Sequence, residues 1–127
     1  MSRCVLDASA VLALLNQEDG AGIVERQLPG AAISTVNLSE VVGKLIDAGM
    51  PEAAVSSAIE ILGLEVVDFD TETAFLAGVL RSTTREAGLS LGDHCCLALA
   101  KTLNIPAFTA DRKWMEADVG VTIECIR

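Results

Sequence analysis

The sequence predicts an α/β domain built on a parallel sheet, and three observations predict it. Short apolar runs suited to strands alternate with helical patterns along the chain. The stretches between successive strand runs are long enough for the crossovers that parallel strands require. No internal repeat, low-complexity tract or linker interrupts the alternation, since Gly and Pro mark turns only. With 127 residues, 51% of them apolar, the chain has the length of one domain and enough apolar surface to offset the entropy of ordering. Residues 1–127 are therefore expected to form a single domain.

The elements follow in order. Cys4-Val5-Leu6 reads as a short buried strand. Ala10 to Leu15 reads as a helix with Ser9 as its N-cap. A second short helix fits Ala21 to Gln27. Ala31-Ala32-Ile33-Ser34 is strand two, ahead of a helix from about Asn37 to Ala48. In that helix Leu38, Val41, Val42 and Leu45 fall at i, i+3, i+4 and i+7, which is one apolar stripe. Gly49-Met50-Pro51 breaks the chain, and a helix runs on to about Leu62. Glu65-Val66-Val67 is a third strand. Asp70 or Thr71 caps a helix running to about Ala87, with Gly88 as its stop. Ser90 begins another helix, to about Leu103. Ala107-Phe108-Thr109 is a fourth strand, a short helix follows Asp111, and Val121–Cys125 is a fifth.

Composition narrows the function classes. The formal charge is −9, so nucleic acid cannot be held by simple charge attraction, which needs a basic footprint. A nucleic-acid enzyme of this charge needs metal ions to reverse the local field. The apolar runs reach only six residues, as at Ala10–Leu15, against about 20 for a membrane helix, so no membrane association is expected. Asp7 interrupts the stretch where a signal peptide would be apolar, so none is expected. Cys4, Cys95, Cys96 and Cys125 contain no CxxC, and His94 is the only histidine. A structural zinc site is not expected; buried free thiols in a reducing cytoplasm are.

The carboxylates carry the chemical signal. In open α/β sheets, ligands bind beyond the carboxyl ends of the strands. Asp7 ends strand one and Asp111 follows strand four by two residues. Glu40 lies on the first turns of the helix after strand two, and Asp93 on the first turn of the helix after Ser90. Each also has a purely structural reading. Glu40 can pair with Lys44 at i,i+4. Asp93 completes the capping box Ser90-Leu91-Gly92-Asp93. Asp111 can cap the short helix, and Asp7 can favour the next helix through its dipole. A lone carboxylate directly after a buried strand is nevertheless an unusual place for a charge without a partner. Four acids converging on one sheet edge suit Mg²⁺, a hard cation that takes oxygen ligands and keeps several waters. The hydroxyls of Ser9 and Thr109 flank this set, either positioning ligands and waters or closing strand-end hydrogen bonds.

Four segments together resemble the PIN-domain family, and more closely its VapC-type toxin ribonucleases. Val5-Leu6-Asp7-Ala8-Ser9-Ala10 followed by Val11-Leu12-Ala13-Leu14-Leu15 resembles the opening strand, first acid and helix. Ile33 to Val41 resembles the segment carrying the glutamate. Leu89-Ser90-Leu91-Gly92-Asp93 with Cys96 to Ala100 resembles the third-acid segment, and Phe108 to Trp114 the last motif. The four acids come in order with gaps of 33, 53 and 18 residues. The resemblance implies a three-layer α/β/α fold with a short parallel sheet flanked by helices. It implies an Mg²⁺- or Mn²⁺-dependent endoribonuclease, the toxin of a toxin–antitoxin pair, with Asp7, Glu40, Asp93 and Asp111 as metal ligands and catalytic acids.

Lys44, Arg112 and Lys113 neighbour the proposed site and are candidates for RNA phosphate contacts. His94 departs from the family pattern and is left outside the metal set, with an RNA contact as its open alternative. A mean hydropathy of +0.47 and the resemblance both point to a homodimer. An acidic site calls for a cationic inhibitor, and the resemblance implies a small antitoxin with an Arg-bearing tail. The rivals are a haloacid dehalogenase-like phosphatase using Asp7, a receiver-like module and a non-catalytic PIN-like interaction module. The first wants a second Asp where Ser9 stands. The second wants paired acids near strand one and a lysine after the last strand. Four intact acids count against the third.

Overall fold

In the computed structural model, which describes residues 1–127, five short strands form one sheet. They are Val5–Leu6 (β1), Ala32–Ser34 (β2), Glu65–Val67 (β3), Ala107–Thr109 (β4) and Ile123–Cys125 (β5). Every pairing is parallel and the order is β3-β2-β1-β4-β5. The helices are Ala8–Leu15 (α1), Ala21–Glu25 (α2), Thr35–Asp47 (α3), Glu52–Ile61 (α4), Thr71–Val79 (α5), Arg81–Thr84 (α6) and Leu91–Leu103 (α7). Single 3₁₀ turns lie at Arg85–Ala87 and Arg112–Glu116.

The α/β/α layering follows from the two-residue period of a strand. Cys4, Leu6, Ile33 and Phe108 face one side, against Val11 of α1, Val41 and Leu45 of α3 and Val55 of α4. Val5, Ala32 and Ala107 face the other, against Ala77 of α5, Leu97 and Leu99 of α7, and Trp114. Because the sheet is covered on both faces, its central strands read as continuous apolar runs rather than alternating ones. Leu6 and Ile33 are fully buried, and each contributes about 1.5–3 kcal/mol relative to exposure. The edge strand β3 is different: Glu65 and Val66 are exposed.

Three sequence expectations need correction. The first helix starts two residues early, and Asp7 rather than Ser9 is its N-cap: the Asp7 carboxylate accepts from the Ala10 N–H at 2.8 Å. The third helix starts at Thr35 under a Ser34 cap, not at Asn37. The helix expected to run from Asp70 to Ala87 breaks at Leu80. No Pro stands there, and Gly78, two residues earlier, is still helical. Instead Ser82, Thr83 and Thr84 each turn a hydroxyl back onto the carbonyls of Val79 and Leu80, and such back-bonding bends helices. Gly88 still ends the segment, at φ +68°.

The strand order fixes where a site can form. From β1 the chain moves outward to β2 and β3, then crosses to β4 on the other side of β1. The connections leaving β1 and β4 therefore part in opposite directions, opening a crevice at the strands' carboxyl ends. Leu6 pairs with Phe108 in register, so the next residues out, Asp7 and Thr109, stand side by side at the mouth.

Candidate active site

Asp7 is only 3% exposed, and its carboxylate is held by three donors. The Thr109 hydroxyl donates to Oδ2 at 2.6 Å, the Ser9 hydroxyl reaches both oxygens at 2.8 and 2.9 Å, and the Ala10 N–H donates to Oδ1. The hydroxyls are themselves oriented by main chain. The Ala110 N–H donates to Ser9 Oγ at 2.9 Å and the Asp111 N–H to Thr109 Oγ1 at 3.0 Å. With those lone pairs occupied, each hydroxyl proton is left for Asp7. Ser9 and Thr109 thus close strand-end hydrogen bonds and, through the same hydroxyls, fix the Asp7 carboxylate. Burial still dominates the electrostatics. It pushes the Asp7 carboxyl up from 3.8 to about 6, helped by the charge of Asp93 and opposed by the three donors.

The other three acids border the same cleft, of about 180 Å³, together with Ser9, Asn37 and Lys44. Asp93 sits in a complete capping box: the Ser90 N–H donates to its Oδ2 at 2.8 Å, and the Asp93 N–H donates to Ser90 Oγ at 3.2 Å. Asp111 caps the turn after β4, accepting from the Lys113 N–H at 3.0 Å. Three of the four acids are therefore helix or turn caps as well as cleft residues, and a cap fixes a carboxylate beside partly positive N–H groups. Glu40 is exposed. Its expected ion pair with Lys44 does not form; instead Asn37 Nδ2 donates to Glu40 Oε1 at 2.8 Å.

The candidate cations divide. Lys44 borders the cleft. Lys113 lies 3.7 Å from Asp111 Oδ2, and Arg112 is exposed outside the cleft lining. His94 is buried, which removes the open alternative of an RNA contact at this residue. Its Nδ1–H donates to the Ser90 carbonyl at 2.7 Å, and Nε2 meets the Thr84 hydroxyl at 2.7 Å. It pins the first turn of α7 to the end of α6. All four cysteines are free thiols, and Cys125 is only half-buried. Burial pushes the Cys95 thiol up to about 11 and the Cys96 thiol well above its ordinary value, with cleft carboxylates adding to both. Such thiols stay protonated and serve as neither ligand nor nucleophile.

No three His, Cys, Asp or Glu side chains meet around one point at ligand distance. The donors bordering the cleft are carboxylate and hydroxyl oxygens with one amide, and no soft donor. That set fits a hard divalent cation retaining several waters rather than zinc. The sequence reading missed two residues here. Asn37 is buried beside Glu40, and Gly92 packs against the same carboxylate. The signal available for the first was a polar residue one turn before an acid, Asn37-Leu38-Ser39-Glu40.

A family model for the PIN domain matches residues 4–120. No curated protein matches the sequence. Among solved structures, the chain is similar to a DNA-bound VapBC complex from Salmonella typhimurium, at TM-score 0.78 and 20% identity over 100% of both chains. It is similar to a toxin–antitoxin complex from Klebsiella pneumoniae, at TM-score 0.76 and 18% identity over 98% of each chain. It is also similar to the sarcin–ricin-loop-cleaving toxin VapC20 of Mycobacterium tuberculosis, at TM-score 0.70 and 18% identity, over 94% of this chain and 98% of that one. At such identities the likeness is one of fold. No helix is long and apolar enough to cross a membrane.

Proposed function

We propose, from the premise that this chain belongs to the PIN-domain family, that it is a single-domain, Mg²⁺- or Mn²⁺-dependent endoribonuclease. Its role is that of the toxin in a cytoplasmic toxin–antitoxin pair. The observation that carries the reading is the gathering of Asp7, Glu40, Asp93 and Asp111 around one cleft at the sheet's switch point. The fold shared with toxin–antitoxin complexes supports the partner assignment.

Asp7, Glu40, Asp93 and Asp111 would hold the cation, which supplies a water of lowered pKa and offsets charge on the phosphodiester. The chain's own residues prepare that site. Ser9 and Thr109 hold Asp7 in one orientation, so no side-chain ordering remains to be done when the cation binds. The capping contacts of Asp93 and Asp111 do the same for theirs. Lys44, which borders the cleft, would meet an RNA phosphate there at short range, where a −9 chain otherwise repels the strand. The inhibitor is a small antitoxin whose tail brings an Arg to the acids, because a guanidinium fork matches carboxylates bidentately. The toxin acts as a homodimer.

Cleavage of a structured RNA by the purified chain tests this. Cleavage is expected with Mg²⁺ or Mn²⁺ and lost in excess EDTA, and Asp7→Asn should lower the rate by about 10²–10³-fold. Equal cleavage in EDTA, or by Asp7→Asn, would overturn the assignment.

A further inference from the structure

Glu40 differs from the other cleft acids in that no main-chain N–H of its own helix end holds it. Its restraint comes from Asn37, one turn earlier on α3 and only 1% exposed. Asn37 Nδ2 donates to Glu40 Oε1 at 2.8 Å and to the main-chain carbonyl of Gly92 at 3.0 Å. The orientation of the amide follows from these partners, because turning it over would set Oδ1 against two acceptors. Its protons are thus committed to Glu40 and α7, and Oδ1 is left buried with no donor. A buried amide with an unpaired oxygen is less stable than an apolar residue of its size, so packing alone does not account for Asn at this position.

Gly92 constrains the same carboxylate from α7. A Cβ built there would lie 2.7 Å from Glu40 Cδ and 2.9 Å from Oε2, with Oε1 nearer still. Its backbone lies in the ordinary helical region, so the glycine is not needed for conformation; it is needed for space. Any side chain would push the flexible end of Glu40 aside and away from Asn37.

We infer that Asn37 and Gly92 act as a clamp that sets where the Glu40 carboxylate stands, which makes Asn37 a positioning residue for cation binding in the cleft. Asn37 holds the carboxylate by a hydrogen bond, and Gly92 leaves the volume it occupies. Because the Gly92 carbonyl is the amide's second acceptor, the clamp also ties α3 to the acid-bearing end of α7. This inference rests on reading the cleft as a cation site.

The test is calorimetric titration of the full-length, metal-free chain with Mn²⁺, read alongside the Mg²⁺-induced rise in melting temperature. Asn37→Ala and Gly92→Ala should each weaken Mn²⁺ binding by about 10–100-fold, the range seen when partners of metal ligands are removed. In a Glu40→Gln background neither change should weaken binding further, since both act through that carboxylate. Gly92→Ala removes no polar group and suits a helix, so it decides the matter alone if Asn37→Ala fails to fold. If both single variants bind Mn²⁺ like the wild type while Asp7→Asn binds more weakly, the clamp is wrong and the cleft reading stands. Additive losses in the Glu40→Gln background also overturn the clamp. If Asp7→Asn binds as tightly as the wild type, the cleft reading fails and the clamp falls with it.

Discussion

Asp7 and Glu40 border one cleft and are held by opposite means. Asp7 is buried at the end of β1, and its donors come from residues two and three positions on and from the neighbouring strand. Glu40 stands on the exposed side of α3, and its placement depends on a glycine on α7, 52 residues further along the chain. The first acid has its charge built into the core. The second is nearly free of the core and is located by one amide and one absent side chain. Folding stability should therefore register both substitution and pH at Asp7, whereas substitution at Glu40 should leave it nearly unchanged.

The largest expected effect is on that contrast. Asp7 moves from 3.8 to about 6 on folding, so in the metal-free chain the neutral form is favoured by the fold. Its contribution to stability is fully present below about pH 4 and is lost as pH rises through about 6. The loss amounts to about 3 kcal/mol. Asp7→Asn lacks this dependence and should gain on the wild type by that order between pH 4 and pH 7 in urea unfolding. Parallel curves for the two proteins would show that burial does not dominate at Asp7.

Thr109→Val should come next. It keeps the shape of the strand end but strips a donor from Asp7 and an acceptor from the Asp111 N–H, at a cost of about 1–3 kcal/mol. The Asp7 carboxyl should then titrate higher than in the wild type, which carbonyl-detected NMR would follow. Asp93→Ala removes half of a capping box and should lower stability by about 0.5–2 kcal/mol while also ending RNA cleavage. If activity survives, Asp93 is a cap alone. Smallest of all is Glu40→Gln, at an exposed position: a change within about 0.5 kcal/mol. A larger loss would mean that Glu40 belongs to the core after all.

What the sequence made legible follows the same division. A single acid after a buried run, as at Asp7, is conspicuous because the pattern that marks it is local. Ser90 to Asp93 and Asp111 were readable for that reason too, and the five parallel strands followed from the alternation of runs and crossovers. The helix cap at residue 7 rather than 9 was a matter of which of two good cap formers stood first. The break at Leu80 was written in Ser82-Thr83-Thr84, but a helical pattern passes easily over a hydroxyl run. Gly92 carried no local mark, and Asn37 only the weak one of a polar residue one turn before an acid. One is the filler of a capping box and the other a polar residue in an amphipathic helix, and they acquire meaning only when α3 and α7 meet. Arg112 and Lys113 adjoin Asp111 in sequence, yet neither lines the cleft, and the exposed Lys113 ammonium lies 3.7 Å from Asp111 Oδ2.

The use of caps as cleft acids bears on how such a protein loses its chemistry over descent. Asp7, Asp93 and Asp111 each accept a main-chain N–H. Asn can accept the same bond without the charge, whereas Ala or an apolar residue leaves a donor unanswered. A lineage released from selection on the reaction is still under selection to stay folded. Its inactive descendants should therefore drift to Asn at positions 7, 93 and 111 well before any other residue, while position 40, which caps nothing, should scatter freely.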